Sequence, residues 1–278
     1  MQRHILSVAI PAVALVVSLS ATPARAATCE SLASLKLSDT TITTAQTVAA
    51  GTFTAPGRGG RAGAPMSDLP AFCRVAATLT PTKESDIKIE VWLPASGWNG
   101  KFQAVGNGGW NGNIDTNALA NGVRRGYATA STDTGHEGGA GAWMANREKL
   151  IDYGHRAVHE MTVKAKAIVN AFYDMQPRLS YFNGCSAGGR QGLMAAQRYP
   201  DDFDGIVAGA PVLSPTARAT LAVATAQHLR KTDASYIPSS KYAAINNAVL
   251  DACDAIDGAT DRLIENPKAC KFDPAVLT

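Results

Sequence analysis

Gly184-Cys185-Ser186-Ala187-Gly188 has the pattern G-x-S-x-G. A serine turns nucleophile when a tight strand-to-helix turn lifts its Oγ clear of the sheet, and flanking glycines let that strained turn pack closely. The surroundings predict such a turn: residues 179–182 read as a strand, 188–199 as a helix and 206–208 as a buried strand. Ser186 is therefore the candidate nucleophile; a glycine-rich turn with a passive serine is the alternative. An attacking serine also needs backbone N–H groups aimed at the developing oxyanion. One is expected from the next residue, Ala187, and the other from the loop after the third strand of such a sheet. Gly106-Asn107-Gly108-Gly109-Trp110 stands where that loop belongs, with Gly108 and Gly109 as candidate donors.

A base and an orienting carboxylate should follow the serine in this architecture. Only His228 does so, inside an Ala-rich helical run, while His136, His155 and His159 precede it. All four read as ordinary loop or helix-face histidines, so the triad is incomplete. A second cluster, Asp254, Asp257 and Asp261, has the hard oxygens calcium prefers, and backbone carbonyls could complete six to eight ligands. It is not an EF-hand, because Ile256 and Gly258 occupy positions that would need oxygen-bearing side chains. A solvated acidic turn is the competing reading. Cys253 and Cys270 could close that segment.

The elements that must position these groups are α/β in pattern. Residues 39–56 read as a strand or two, and 56–65 as a glycine-rich loop. Residues 73–80 and 86–93 alternate and suggest an antiparallel pair, followed by short strands at 101–105 and 127–131. Residues 152–176 turn helical, with Met161, Ala165, Ile168 and Phe172 on one face and Pro177 as the stop. Two antiparallel strands followed by strand–helix–strand units indicate a mostly parallel sheet. From about Val212 the character changes to Ala-rich helical runs at 216–229 and 239–253, read as the start of an inserted, mainly helical region. The organisation is a leader at 1–26, a core at 27–211 and the insert from 212.

The leader is a basic start (Met1 to His4), an apolar run from Ile5 to Ala21, and Ala24-Arg25-Ala26 as an A-x-A site. It reads as a cleaved secretory signal, with Pro11 and the small-residue exit arguing against a membrane anchor. Its removal takes two arginines and lowers the formal charge from +3 to +1, so no nucleic-acid or membrane-surface partner is implied. With 46% hydrophobic and 18% charged residues, a disordered, collagenous or coiled-coil chain is excluded. Export places five cysteines in an oxidising compartment, and an odd count leaves one thiol free or paired outside this chain. There is no C-x-x-C or Cys/His cluster to suggest zinc.

Taken together, these residues resemble the tannase and feruloyl esterase family. The resemblance rests on Leu69-Pro-Ala-Phe-Cys-Arg-Val, Ile89-Glu-Val-Trp-Leu-Pro with Trp98-Asn-Gly-Lys-Phe, and Gly106-Asn-Gly-Gly-Trp. It is completed by Gly184-Cys-Ser-Ala-Gly-Gly-Arg-Gln-Gly, Asp204-Gly-Ile-Val-Ala-Gly-Ala-Pro and the acidic loop. It implies a secreted α/β-hydrolase fold with a lid inserted after the strand near Ala208. It implies calcium held in that lid by Asp254, Asp257 and Asp261 with the carbonyls of Ala259 and Leu263. It also implies disulfides Cys29–Cys73 and Cys253–Cys270. Cys185 would pair, in the family, with a cysteine beside the catalytic histidine. That cysteine, the acid and the base are missing here, so the sheet and lid are expected to be C-terminally truncated and Cys185 to be unpaired. Two functions are expected as alternatives. One is a serine carboxylic-ester hydrolase acting on small aromatic esters such as gallates or ferulates. The other is a non-catalytic secreted remnant that binds phenolics.

Overall fold

The computed structural model describes residues 27–57 and 63–277; the leader expected at 1–26 lies outside the described residues. The chain divides into two compact units, residues 1–212 and 213–278.

The first unit is built on a seven-stranded sheet. Its strands are β1 (Thr40–Val48), β2 (Phe72–Leu79), β3 (Ile87–Pro94), β4 (Lys101–Val105), β5 (Ala128–Thr132), β6 (Leu179–Cys185) and β7 (Gly205–Gly209), in the order β1-β2-β3-β5-β4-β6-β7. β1, β2 and β3 run antiparallel, and β3 also meets β5 antiparallel. From β5 through β4 and β6 to β7 every pairing is parallel. The period-2 alternation sorts side chains onto two faces. Val75, Ala77, Ile89, Val91, Phe102 and Phe182 enter one core, whereas Phe72, Trp92 and Val105 enter another.

Each face has its helices. α1 (Thr116–Arg124) buries Leu119, Ala120 and Val123 in the Trp92 cluster. α2 (Arg147–Ile151) runs through a π-helical turn at Asp152–Arg156 into α3 (Ala157–Tyr173). α3 places Met161, Ala165, Ile168 and Val169 in the other cluster, beside Ala195 of α4 (Ala187–Arg198). The Cys29–Cys73 disulfide, with Cα atoms 5.4 Å apart, fastens the N-terminal turn to β2.

Two expectations change, and one is narrowed. The helix expected at 152–176 stops at Tyr173, because Asp174 takes the left-handed conformation (φ 52°) that ends a helix before Pro177 is reached. The strand expected to be buried at 206–208 leaves Val207 63% exposed, because β7 is an edge strand paired only with β6 among the described residues. The stretch 39–56 forms one strand, and Thr54 adds an isolated bridge to Pro65.

The second unit is helical, with α5 (Pro215–Leu229) and α6 (Tyr242–Cys253) joined by short turns and no strand among its described residues. Its Cys253–Cys270 disulfide, Cα atoms again 5.4 Å apart, closes the segment that follows α6.

Candidate active site

Ser186 lies between the end of β6 and the start of α4 with φ 59° and ψ −116°. Positive φ is costly for a non-glycine residue and survives only where the surroundings enforce it. Here they do. The Ser186 amide donates to the Gly209 carbonyl at 2.9 Å, and the Ser186 carbonyl accepts from Arg190 N at 3.1 Å. A Cβ on Gly184 would lie 2.5 Å from the Gly188 backbone, so the two glycines of the motif meet without room for a side chain. Ser186 is exposed and Ala187 buried. The Ala187 amide is among the first of α4, which have no partner inside a helix and sit at the positive end of its dipole.

The loop after β4 reaches this turn. A Cβ on Gly106 would fall 2.6 Å from Gly188 Cα and 3.2 Å from Gly184 Cα, so loop and elbow touch backbone to backbone. Asn107, buried, is the fastening. Its amide donates to Gln191 Oε1 (3.0 Å), its Oδ1 accepts from Gln191 Nε2 (3.1 Å), and its Nδ2 donates to the carbonyls of Asn113 and Thr132. Gly108 and Gly109 come next, Gly109 with φ 56° and open space beside both. The Gly109 carbonyl accepts from Tyr153 Oη at 2.8 Å, and the Trp110 carbonyl accepts from His136 Nε2 at 2.8 Å. The structure thus packs Gly106 and Asn107 of the loop against the turn that carries Ser186 and Ala187, with Gly108 and Gly109 next along the chain.

Among the described residues no histidine hydrogen-bonds Ser186; His136 reaches the loop through the Trp110 carbonyl. His155 Nδ1 meets the Tyr199 hydroxyl at 2.8 Å, and burial together with Arg198 and Arg156 lowers its pKa. His159 pairs with Asp202 at 2.9 Å and stacks on Tyr199, and His228 is exposed on α5. Asp133, at the end of β5, is pushed up to about 7 by burial, against hydrogen bonds from the amides of Gly135 and Lys88. Cys185 is a free, exposed thiol, beside a cavity of about 310 Å³ lined also by Gln103, Val105, Asn121, Arg125 and Asn183.

The acidic loop lies wholly in the second unit. Asp257 accepts from the amides of Ala259 (3.0 Å) and Glu265 (3.3 Å), and Asp261 from that of Leu263 (3.0 Å). Among the described residues no three His, Cys, Asp or Glu side chains converge as a metal cluster. One atom fits a cation nonetheless: Asp254 is 7% exposed, and its Oδ1 is buried without a hydrogen-bond partner. A buried carboxylate oxygen left bare is costly, and a hard cation is the natural occupant.

Asn107, Arg190 and Gln191 stand inside the two glycine motifs quoted from the sequence, but nothing there announced their holding role, and Tyr153 lies in no motif at all.

The family model for tannase and feruloyl esterase matches residues 73–278. The chain belongs to the tannase and feruloyl esterase family. An uncharacterized esterase of Xanthomonas campestris is 40% identical over 263 residues, covering 94% of this chain and 45% of the relative. A probable feruloyl esterase B-1 of Aspergillus fumigatus is 38% identical over 218 residues, 77% of this chain and 40% of the relative. The crystal structure of feruloyl esterase B from Aspergillus oryzae superposes with a TM-score of 0.78 at 34% identity, covering 90% of this chain and 50% of that one. Tannin acyl hydrolase from Aspergillus niger gives 0.67 at 26% identity, with 87% and 46% covered. The chain therefore has the family's α/β-hydrolase fold and spans about half the length of these relatives.

Proposed function

We propose that this chain carries the nucleophile and oxyanion loop of a secreted serine hydrolase of carboxylic esters, with small aromatic esters of the ferulate or gallate kind as substrates. The observation that carries the reading is Ser186 held at positive φ between β6 and α4, with the glycine loop of β4 packed on its turn. Ser186 Oγ attacks the ester carbonyl. The oxyanion rests on the Ala187 amide and on an amide of Gly108 or Gly109, the alcohol leaves, and water then releases the acid from the acyl-serine. The feruloyl esterase and tannin acyl hydrolase relatives support the aromatic acid. The leader pattern and the two disulfides support export, and among the described residues no helix is long and apolar enough to cross a membrane.

Calcium belongs to this reading as a structural ion. Asp254, Asp257 and Asp261, with the carbonyls of Ala259 and Leu263, would hold it, and the bare Asp254 Oδ1 supports the assignment. The ion would offset two of the three carboxylate charges and fix the turn that follows α6.

A second reading, binding of phenolics without turnover, draws on the lack of a histidine hydrogen-bonded to Ser186 among the described residues. The deciding experiment is hydrolysis of methyl ferulate and methyl gallate by the wild type beside Ser186→Ala. Turnover abolished by the substitution supports the esterase. Saturable binding of both esters with no turnover, unchanged in Ser186→Ala, replaces it with the binding protein.

A further inference from the structure

Two glycines at the centre of an oxyanion loop create a problem that the loop cannot solve alone. Gly108 and Gly109 have no side chains to pack and the widest backbone freedom of any residue, yet an oxyanion hole works only when its donors are already oriented. The orientation has to be imposed from outside. On the N-terminal side Gln191 does this through Asn107. On the C-terminal side the Gly109 carbonyl is held by Tyr153 Oη. A trans peptide is planar, so that bond restrains the 109–110 peptide, which adjoins the candidate donor amide of Gly109 across a single Cα and limits the turn that amide can make.

Tyr153 is itself unusually well fixed. It is 8% exposed and sits in the π-helical turn between α2 and α3, a kind of turn that recurs at functional sites. Arg190, four residues after the serine, lays its guanidinium over the Tyr153 ring at 4.7 Å. It also donates to the carbonyls of Tyr153 and Gly154 at 3.2 and 2.9 Å. Trp110 stacks on the same ring, its centroid 5.4 Å away. Beneath the turn, fully buried Asp152 is held by Arg156 Nε (2.5 Å) and Ser85 Oγ (3.2 Å).

We propose that Tyr153 is a positioning residue for the ester-hydrolysing site: clamped by Arg190 of the nucleophile helix, it holds the Gly109 carbonyl and thereby aims the oxyanion loop at Ser186. This rests on the esterase reading for its catalytic consequence but not for the tether itself. Tyr153→Phe deletes the hydroxyl and keeps the ring that Arg190 and Trp110 contact. Tyr173→Phe is the matched control, since Tyr173 Oη makes the same kind of bond to the Pro94 carbonyl (2.8 Å) away from the loop.

The test has two readouts. Hydrogen exchange over 106–112 should quicken on the order of tenfold in Tyr153→Phe, with exchange in α4 and the melting temperature unchanged. On methyl ferulate, kcat should fall on the order of tenfold with KM within twofold, the pattern of an interaction made in the transition state. Tyr173→Phe should leave both readouts as in the wild type. Unchanged loop exchange overturns the tether whatever the activity. Quickened exchange with kcat unaltered, or an equal loss of kcat in the control, overturns the positioning role. A wild type without turnover counts against the esterase reading alone, and the exchange comparison still decides the tether.

Discussion

The serine elbow and the acidic loop after α6 are both tight turns that present oxygen or amide groups, and they differ in where their rigidity comes from. Around Ser186 it is supplied by protein: glycines in backbone contact, Asn107 on Gln191, Gly109 on Tyr153. In the acidic loop Asp257 and Asp261 only cap amides of their own turn, and the buried Asp254 keeps an oxygen with no partner. A preorganised site should survive chelators and be ruined by a methyl group. A site that relies on an ion should show the reverse. This contrast is open to direct attack.

The largest effect is expected at the elbow itself. Ser186→Ala should reduce kcat by on the order of 10⁴-fold or more while the melting curve stays in place, because the hydroxyl is exposed and packs nothing. Activity within tenfold of the parent would remove Ser186 from the mechanism.

Calcium tests the other side. At a hundredfold excess over Kd it should add about 2.7 kcal/mol to the stability of the second unit, seen as a rise in melting temperature that EDTA reverses. Asp254→Asn should abolish the response. A chelator-insensitive melt would make the loop a solvated acidic turn and erase the contrast.

Gly106→Ala should cost about 1–3 kcal/mol, the usual range for overpacking, since the added methyl meets Gly188 Cα, a backbone atom that cannot rotate aside. Melting should fall by several degrees and kcat with it. A parent-like variant would mean that loop and elbow are less tightly joined than their contacts indicate.

A further effect is a pH slope from Asp133. Its acid form is favoured in the folded protein, with a pKa of about 7 against 3.8. The folded state therefore binds the proton more tightly than the unfolded chain, and stability declines as pH rises from about 4 to 7. Melting temperatures recorded across that window should show the decline in the wild type, and Asp133→Asn should flatten it. An identical slope in both would place the titrating group elsewhere.

What could be read in the sequence was whatever depends on neighbours along the chain. The alternation in 73–80 and 86–93 gave β2 and β3 because each strand carries its own inside and outside. The serine motif stood out because its glycines are local to the turn. α1 could not be read, since Thr116–Arg124 is rich in Asn and has Gly122 in its interior, a residue that weakens a helix in isolation. Packing reverses that preference: a Cβ at Gly122 would lie 2.1 Å from Thr129 Cγ2, so the helix rests on β5 through its glycine. Val207 misled for the opposite reason, an apolar residue on a strand that pairs on one side only among the described residues. The disulfide partners followed from family likeness, and the structure forms both bonds. Tyr153 was invisible, and Gln191 was seen in its motif without its role, because their partners lie 44 and 84 residues away.

That last separation has a consequence for the order of assembly. Loop 106–110 leaves the ribosome 84 residues ahead of the side chain that fastens it. While the antiparallel strands β1 to β3 can pair as they emerge, the N-terminal side of the loop has no anchor until α4 docks on the sheet, and Tyr153, which holds the Gly109 side, is itself clamped by Arg190 of that helix. Closing so long a loop carries an entropic cost before any contact repays it, so the oxyanion pocket forms in the late steps of folding. It should also be the part first lost when the start of α4 opens locally, so on the proposed esterase reading turnover would register early damage before a global melt does.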